Sequence, residues 1–365
     1  MNVTAAAATG VAVQSPPLGV AVVGCGLIGR RRAASALAHP RTTLRVLIDR
    51  VPAAAQEVAG PDCSVSADWQ TALDRTDVDI IVVSTPNNLL AEVAITAMQA
   101  GKHVLLEKPM GRNLDEALRI HAAAVASGRV LQVGFNHRFH PGIRRAAELI
   151  REGAIGRLIS VRARYGHGGR PGLEKEWRSD PEQAGGGELI DQGVHLADLI
   201  HWMAGMPVTA FGHVQTAVWP IEPLEDNAWG LLRFANGAVA QLHVSMTQWK
   251  NMFSLEVHGD AGAVTVEGLG GSYGVERLTR VDRAVAGGVP AVNEEIFEGA
   301  DGSWAAEWEA FMGRIDGATA DRGGRLPNEA GDRAGTAGSA DDGLAAMRIV
   351  DALYRSASAG VPVPL

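Results

Sequence analysis

A glycine-rich turn near the start of the chain constrains the fold more than any other feature. Gly24, Gly26 and Gly29 form the pattern G-x-G-x-x-G between a predicted strand, Leu18–Val23, and a predicted helix, Leu27–Ala38. In that setting the three glycines allow a tight turn, a close approach of backbone to a pyrophosphate, and close packing of helix on strand. The free N–H groups at the helix start then favour a phosphate anion. The sequence therefore predicts a dinucleotide-binding turn.

The residue after the second predicted strand indicates which dinucleotide is bound. Asp49 follows Thr43–Ile48, 20 positions after Gly29. A carboxylate there accepts hydrogen bonds from the ribose hydroxyls and repels a 2′-phosphate, which favours NAD over NADP. Arg50 is the counter-argument, because an arginine beside the ribose can pair with a 2′-phosphate. The residues of this region predicted to contact the cofactor are Gly24, Gly26, Leu27, Ile28, Gly29, Asp49 and Arg50.

Short apolar runs alternate with helical segments up to about residue 138. Further strands are predicted at Ile80–Val83, His103–Leu106 and Val130–Val133. Alternation of strand and helix predicts a parallel sheet with right-handed crossovers, and continuous Val/Ile/Leu runs fit strands covered on both faces. We therefore expect an α/β Rossmann dinucleotide-binding domain over residues 18–138, preceded by a disordered leader over residues 1–17 without a basic signal-peptide start.

The pattern changes after residue 138. Strand-like runs follow one another from Val208 to about Val281, with turn signals such as Asn236-Gly237 between them, which indicates an antiparallel sheet. Helices are predicted over Gly187–Met203, Trp304–Ile315 and Gly343–Ser356, and a loop over Asp316–Asp341. Residues 139–365 are expected to form an α+β domain that binds substrate.

Lys108 stands where the fourth predicted strand ends, within Glu107-Lys108-Pro109. Ligands of open parallel sheets bind beyond the carboxyl ends of the strands, so this lysine is expected beside the nicotinamide. The chain has only three other lysines, Lys102, Lys175 and Lys250. The plainer alternative is a solvated lysine before a turn.

Asp191 and His195 lie four residues apart on the predicted helix, which puts them on one face. A histidine can take a hydroxyl proton near neutral pH, and the carboxylate can orient it or bind a second hydroxyl. Asp198 continues this face and is expected to form a polar pair with His195. The alternative is an Asp–His pair on a solvated helix face.

The overall composition excludes some classes of function. The net charge of −8 argues against a basic nucleic-acid-binding face. No apolar run is long enough for a membrane-spanning helix, and no metal site is predicted. The two cysteines, Cys25 and Cys63, favour a reduced, cytoplasmic setting over a disulfide framework.

Several motifs together resemble the glucose-fructose oxidoreductase, inositol dehydrogenase and rhizopine-catabolism (Gfo/Idh/MocA) oxidoreductase family. The resemblance covers about Leu18 to Ala357, nearly the whole chain. The motifs are GCGLIG at 24–29, STPN at 84–87, EKP at 107–109, FNHRFHP at 135–141, GGGELIDQGVHLADLIHW at 185–202 and LEVHGDAGAVTVEG at 255–268.

The resemblance implies a second domain with a large, open, mostly antiparallel sheet, through which relatives usually form homodimers or homotetramers. It assigns the catalytic positions to Lys108, Asp191 and His195, with the bond before Pro109 often cis. The further cofactor contacts implied are Thr85, Pro86, Asn87, Glu107, Lys108, Asn136, Trp177 and Arg178. The substrate contacts implied are Lys108, His137, Arg138, Arg178, Asp191 and His195.

The function expected from the resemblance is an NAD-dependent dehydrogenase. It would oxidise a ring hydroxyl of a sugar, cyclitol or aminoglycoside-type substrate to a ketone, or catalyse the reverse. The alternatives are a keto-sugar reductase of nucleotide-sugar biosynthesis, a glycosidase or epimerase that recycles its NAD, and a non-catalytic NAD-sensing protein. Glu188 departs from the apolar residue of many relatives and is expected to face the substrate pocket, pair with an arginine, or form a surface salt bridge. The Gly-rich segment 166–172 is either a loop suited to a polyhydroxylated ring or a flexible surface loop.

Overall fold

The computed structural model describes residues 16–320 and 335–365. Of the predicted leader, residues 1–15 lie outside this described part, and the first strand begins at Leu18. The middle of the loop predicted over Asp316–Asp341 lies outside it as well. The two ends of that predicted loop are helical instead, since one described helix runs to Ala320 and the next begins at Ala340.

The first sheet is parallel and has the order β3-β2-β1-β4-β5-β6 among the described residues. Its strands are β1 (Leu18–Val23), β2 (Thr42–Ile48), β3 (Ser64–Ser66), β4 (Ile80–Val83), β5 (His103–Leu106) and β6 (Leu131–Val133). The helices between them are α1 (Leu27–Ala38), α2 (Pro52–Gln56), α3 (Asn87–Gln99) and α4 (Leu114–Ser127). This order confirms the predicted Rossmann fold. The strands added after β1 extend the sheet on one side as far as β3 and then, from β4 onward, on the other side of β1. Sheets of this kind bind ligands at the carboxyl ends of the strands where this switch occurs.

The second sheet is mostly antiparallel, as predicted, with the order β14-β13-β12-β11-β7-β10-β9-β8-β15 in the described part. Only the β7–β10 pair is parallel among its described pairings. The strands are β7 (Leu158–Gly166), β8 (Thr209–Gln215), β9 (Asn227–Arg233), β10 (Val239–Ser245), β11 (Met252–Gly259), β12 (Gly262–Glu267), β13 (Glu276–Asp282), β14 (Ala291–Phe297) and β15 (Val363–Pro364). The accompanying helices are α5 (Pro141–Arg151), α6 (Pro181–Ala184), α7 (Val194–Ala204), α8 (Ser303–Ala320) and α9 (Ala340–Ala359).

The two sheets share helices that come late in the chain. Helix α8 returns to the first sheet, where Trp308, Phe311 and Met312 are buried against the cluster around Val20 and Ala33. Helix α9 contacts α4 of the first layer and also α7 and β8 of the second. A boundary at residue 138 stays a prediction, and the late helices tie the two layers together across it.

The predicted continuous α-helix over Gly187–Met203 is wrong in its first half. A π-helical turn, Leu189–Gly193, comes first, and the α-helix begins only at Val194. Gly186 and Gly187 lie so close to the Tyr354 hydroxyl and the Glu225 carbonyl that a Cβ would come within 2.4 Å and 2.1 Å of them. This close packing against the backbone of Gly186 and Gly187 fixes the chain where it enters the π-helical turn. Such π-helical turns are frequent at functional sites.

Candidate active site

The glycine turn leaves space and free donors at the start of α1. Gly24 has φ of +91°, a conformation that side chains rarely adopt, and a Cβ on Gly29 would lie 1.8 Å from the Gly24 carbonyl oxygen. A Cβ on Gly26 would meet no atom within 4 Å, and no side chain caps α1. Gly29 is therefore required for packing, whereas Gly26 borders an open space with uncapped N–H groups. This arrangement fits a pyrophosphate.

Asp49 is held beside that space at the end of β2. One carboxylate oxygen accepts from the Cys25 N–H at 2.8 Å and the other from the Val51 N–H at 2.9 Å. Each oxygen keeps a lone pair, so the carboxylate can still accept from ribose hydroxyls. Arg50, next in sequence, is exposed, and Leu27 is exposed at the helix start. The predicted cofactor residues of this region thus lie around one crevice.

Six other predicted cofactor residues follow the ends of β4, β5 and β6: Thr85, Pro86, Asn87, Glu107, Lys108 and Asn136. The Thr85 hydroxyl donates to the Pro86 carbonyl at 3.1 Å, and the Asn87 amide donates to the Ala184 carbonyl at 2.9 Å. The Asn136 amide donates to the Ser303 hydroxyl at 3.1 Å. The Asn87 and Asn136 side chains therefore fasten neighbouring segments to the edge of the crevice, and a contact with cofactor remains a prediction for each.

Glu107 is part of a buried ion-pair network. It accepts from Arg32 Nε at 2.6 Å, and the same guanidinium binds Glu307. Arg32 and Glu307 have no exposed surface. The network fastens the end of β5 to α1 and α8, and so it fixes the backbone that carries Lys108.

Lys108, Asp191 and Arg178 meet in one cluster. The Lys108 ammonium donates to the Asp191 backbone carbonyl at 2.6 Å and to its carboxylate at 2.8 Å. Arg178 Nε lies 3.3 Å from the other Asp191 oxygen, and its guanidinium stacks on the Trp177 ring. Burial would raise the pKa of Asp191, but Lys108 and Arg178 outweigh burial and lower it below its usual 3.8. Asp191 is therefore ionised, and the Lys108–Pro109 bond is cis, as expected.

His195 lies in the same region with its ring buried. It stacks on His137, with 3.8 Å between ring centroids, and its Nδ1 has no hydrogen-bond partner in the described part of the chain. Burial lowers the pKa of His195 well below 6.5, and the nearby charge of Lys108 lowers it further. The imidazole is therefore neutral near pH 7 and can accept a proton.

The contacts of Asp198 and Arg138 differ from those predicted, and the contacts of Asp191 bear on one of its two predicted roles. Asp198 does not pair with His195 but accepts from Arg138 Nε at 2.8 Å and from a terminal nitrogen of Arg138 at 2.6 Å. Because Arg138 is fully buried and also pairs with Asp342 at 3.0 Å, the expectation that it contacts substrate is corrected to a structural role. The described polar contacts of the Asp191 side chain go to Lys108 and Arg178, so it does not orient His195 by a direct hydrogen bond.

Glu188 is the residue whose setting the sequence left open. A surface salt bridge is wrong, because the side chain has no exposed surface, and neither carboxyl oxygen has a hydrogen-bond partner among the described residues. His167 Nε2 is 3.7 Å from one of these oxygens. The sequence did contain a signal that Glu188 lies near the candidate site. Glu188 precedes Asp191 by three residues and His195 by seven, and this spacing puts all three on one face of the predicted helix.

Comparisons with known proteins agree with this architecture. Residues 18–135 match the model of the oxidoreductase family with an NAD-binding Rossmann fold, and residues 143–265 match a GFO/IDH/MocA C-terminal domain. The levoglucosan dehydrogenase of Pseudarthrobacter phenanthrenivorans is 30% identical over 284 residues, which cover 68% of this chain and 73% of that protein.

Solved structures are similar over nearly the whole chain. Levoglucosan dehydrogenase in complex with NADH has a TM-score of 0.82 at 24% identity, covering 95% of this chain and 99% of that one. GenD2 from gentamicin A biosynthesis, in complex with NAD, has a TM-score of 0.77 at 27% identity, covering 96% and 97%. Among the described residues, no helix has the length and apolar character needed to cross a membrane.

Proposed function

The chain belongs to the Gfo/Idh/MocA family of NAD-binding oxidoreductases that act on CH–OH groups, and from this premise we propose its reaction. It oxidises a ring hydroxyl of a sugar, cyclitol or aminoglycoside-type substrate to a ketone, or runs the reverse reaction. The observation that carries the proposal is the meeting of Lys108, bound to Asp191, with a buried neutral His195 at the edge of the Rossmann crevice.

Each of the three residues has a role set by its chemistry. When bound, NAD supplies the hydride acceptor. His195 takes the hydroxyl proton as general base, for which a neutral imidazole is required. The Lys108 ammonium hydrogen-bonds the same oxygen and stabilises its developing negative charge. Asp191 holds Lys108 in place and offers its remaining acceptor capacity to an adjacent hydroxyl.

The cofactor is assigned to residues around the glycine turn. The N–H groups after Gly26 take the pyrophosphate, and Asp49 takes the ribose hydroxyls, which favours NAD over NADP. Arg50 is exposed beside Asp49 and is the residue that would allow some use of NADP. Comparing the two cofactors in one assay tests this assignment.

The first experiment measures NADH formation at 340 nm with NAD⁺ or NADP⁺ and a panel of polyols. The panel holds myo-inositol, D-glucose, levoglucosan, a nucleotide sugar and an aminoglycoside. Net NADH from one class supports the dehydrogenase and names its substrate group. Turnover of substrate without net NADH favours the glycosidase or epimerase of the same family, which recycles its cofactor. Oxidation of NADH by a keto sugar alone favours the reductase. NAD binding with no reaction in any of these assays favours the NAD-sensing protein.

Replacing Lys108 by Met tests the site itself. We expect kcat to fall by about 10²–10³-fold, the scale for removal of one donor to a developing oxyanion, with NAD affinity nearly unchanged. The exposed Lys250→Met is the matched control and should retain wild-type turnover. Near-normal turnover in the Lys108 variant would refute the role of this residue.

The assembly and location of the protein remain part of the proposal. The face of the second sheet opposite its helices exposes Phe211 and Leu231, which are cross-strand partners, and a ring stack of Trp229 on His243. We assign this face to self-association into a homodimer or homotetramer, which light scattering would test. The cytoplasmic setting expected from the sequence is likewise proposed, and fractionation of the source cells would test it.

A further inference from the structure

Glu188 is a buried carboxyl group to which the proposed reaction assigns no role. Its side chain has no exposed surface, and both carboxyl oxygens lack a hydrogen-bond partner in the described part of the chain. A buried polar group without a partner is costly, and such groups in native proteins call for a specific reason. The cost is tolerated where the missing partner arrives with a ligand.

The neighbours of Glu188 are the residues of the candidate active site. The charges that act on it most strongly are those of Asp191, Lys108, Glu225 and Arg178. Burial raises the pKa of Glu188 well above 4.5, and the Asp191 carboxylate raises it further, against the opposing effect of Lys108. Glu188 therefore lies within the electrostatic influence of Lys108, Asp191 and Arg178, and its burial favours the protonated form of the carboxyl.

His167 supplies the second half of the argument. Its Nδ1 accepts from the Gly169 N–H at 3.0 Å, which places the ring proton of the neutral tautomer on Nε2. That Nε2 lies 3.7 Å from Glu188 Oε1, beyond hydrogen-bond distance. The His167 Nε2–H donor and the Glu188 Oε1 acceptor thus lie 3.7 Å apart without forming a hydrogen bond to each other.

We propose that Glu188 and His167 form a substrate subsite that binds one ring hydroxyl other than the one oxidised. A single hydroxyl oxygen fits within hydrogen-bond distance of both atoms, accepting from His167 Nε2 and donating to Glu188. An ammonium group has no acceptor lone pair and would leave the His167 proton unsatisfied. The subsite therefore selects a hydroxyl over an ammonium group at this ring position, and it rests on the proposed polyol dehydrogenase function.

A second buried glutamate nearby shows what a structural carboxylate looks like in this protein. Glu225 accepts from the N–H groups of Gly187 and Leu189, at 3.1 Å and 3.0 Å, and from the Tyr354 hydroxyl at 2.7 Å. It fastens the entry of the π-helical turn. Glu188 makes no such contact, so Glu225 is the matched control for its removal.

The test compares Glu188→Leu, Glu188→Gln and Glu225→Leu in the full-length chain without substrate. Removing an unpartnered buried carboxyl should leave the Tm unchanged or raise it, whereas Glu225→Leu, which strands three donors, should lower it clearly. A fall in Tm for Glu188→Leu as large as that for Glu225→Leu overturns the proposal, because it would make Glu188 a structural group. This arm needs no substrate and stands whether or not the proposed reaction is found.

The second arm measures kcat/KM for myo-inositol, D-glucose and levoglucosan, or their affinity for the NADH complex if wild type turns none over. We expect Glu188→Leu to lose about 10- to 100-fold, the scale for leaving a buried hydroxyl donor without its partner, with Glu188→Gln losing less and NADH affinity unchanged. His167→Ala should lose a similar amount. Equal values for wild type and Glu188→Leu overturn the subsite, whereas silence of wild type in turnover overturns only the proposed reaction.

Deoxy analogues and an amino sugar identify the hydroxyl. One of 2-deoxy-, 3-deoxy- and 4-deoxy-D-glucose should bind more weakly than D-glucose to wild type, and this difference should be smaller in Glu188→Leu, which keeps only the His167 contact. Replacing that hydroxyl by an amine, measured at a pH where the amine is protonated, should also weaken binding to wild type. Tighter binding of the protonated amino sugar would overturn the selection of hydroxyl over ammonium.

Discussion

Arg138 and Asp198 offer the sharpest test of how the two layers are held together. Both side chains are fully buried and joined by two hydrogen bonds of 2.8 Å and 2.6 Å, and Asp342 at the start of α9 lies 3.0 Å from the same guanidinium. The guanidinium also stacks on the Trp202 ring at 5.2 Å. Replacing Arg138 by Met keeps much of the packing volume but leaves the Asp198 carboxyl buried without its cation.

The size of the effect follows from that isolated group. Breaking a buried ion pair by removing one partner costs about 3–5 kcal/mol. With a shift of about 2–4 °C per kcal/mol for domains of this size, the Tm should fall by roughly 6–20 °C. Arg138→Met combined with Asp198→Leu removes both charges, and it should recover most of the loss, because apolar replacements of buried pairs are often neutral.

The measurement is thermal unfolding followed by tryptophan fluorescence, together with kcat and KM at a temperature where every variant is folded. Arg119→Met is the control, since Arg119 forms an exposed pair with Asp115 on α4 and such pairs contribute about 0–1 kcal/mol. The reasoning is refuted if Arg138→Met leaves the Tm within 2 °C of wild type, a margin of about 1 kcal/mol, and instead raises KM. That result would return Arg138 to the substrate contacts expected from the sequence.

Three further predictions concern the Rossmann layer. Gly26→Ala should fold normally, because its Cβ meets no protein atom, but it should weaken NAD binding, because the Cβ enters the space assigned to the cofactor. Gly29→Ala should instead lower the Tm, because its Cβ would lie 1.8 Å from a carbonyl oxygen. Calorimetric titration measures the first effect and thermal unfolding the second. Asp49→Ser should raise the ratio of NADP⁺ to NAD⁺ in kcat/KM, and an unchanged ratio would contradict its role at the ribose. His103 is buried and its pKa is lowered to about 4, so its contribution to the free energy of unfolding is complete above pH 6.5 and declines as the pH falls toward 4. His103→Asn has no titrating group at this position. Between neutral pH and pH 5, the free energy of unfolding of this variant, measured with urea, should therefore fall by about 2 kcal/mol less than that of wild type.

The Rossmann layer could be predicted from the sequence because its signals are local. The bounds of β1, β4 and β5 agree with the apolar runs, since parallel strands covered on both faces contain almost only Val, Ile, Leu and Ala. The short strand β3 was not predicted. Neither was β14, whose residues are mostly exposed and whose only described strand partner is β13.

Of the site residues predicted from the sequence, the structure brings Lys108, Asp191, Arg178, His137 and His195 into one region, and their roles stay predictions. Their partners were not predictable. Helical spacing predicted that Asp198 pairs with His195, but in the structure Asp198 pairs with the guanidinium of Arg138, which belongs to the segment after β6. A carboxylate takes whichever cation the tertiary fold brings within reach, and sequence spacing carries no information about residues 60 positions away.

By itself the sequence determined the glycine turn, the parallel sheet, the acid directly after β2 and the family motifs, because each depends on neighbouring residues or on a fixed spacing along one element. Tertiary structure alone decided the π-helical turn that carries Asp191, the burial of Glu188 opposite His167, and the enclosure of Arg138 between α7 and α9. Those features depend on which segments pack against one another, and burial converts that packing into unsatisfied groups, shifted pKa values and ion pairs that no local pattern encodes.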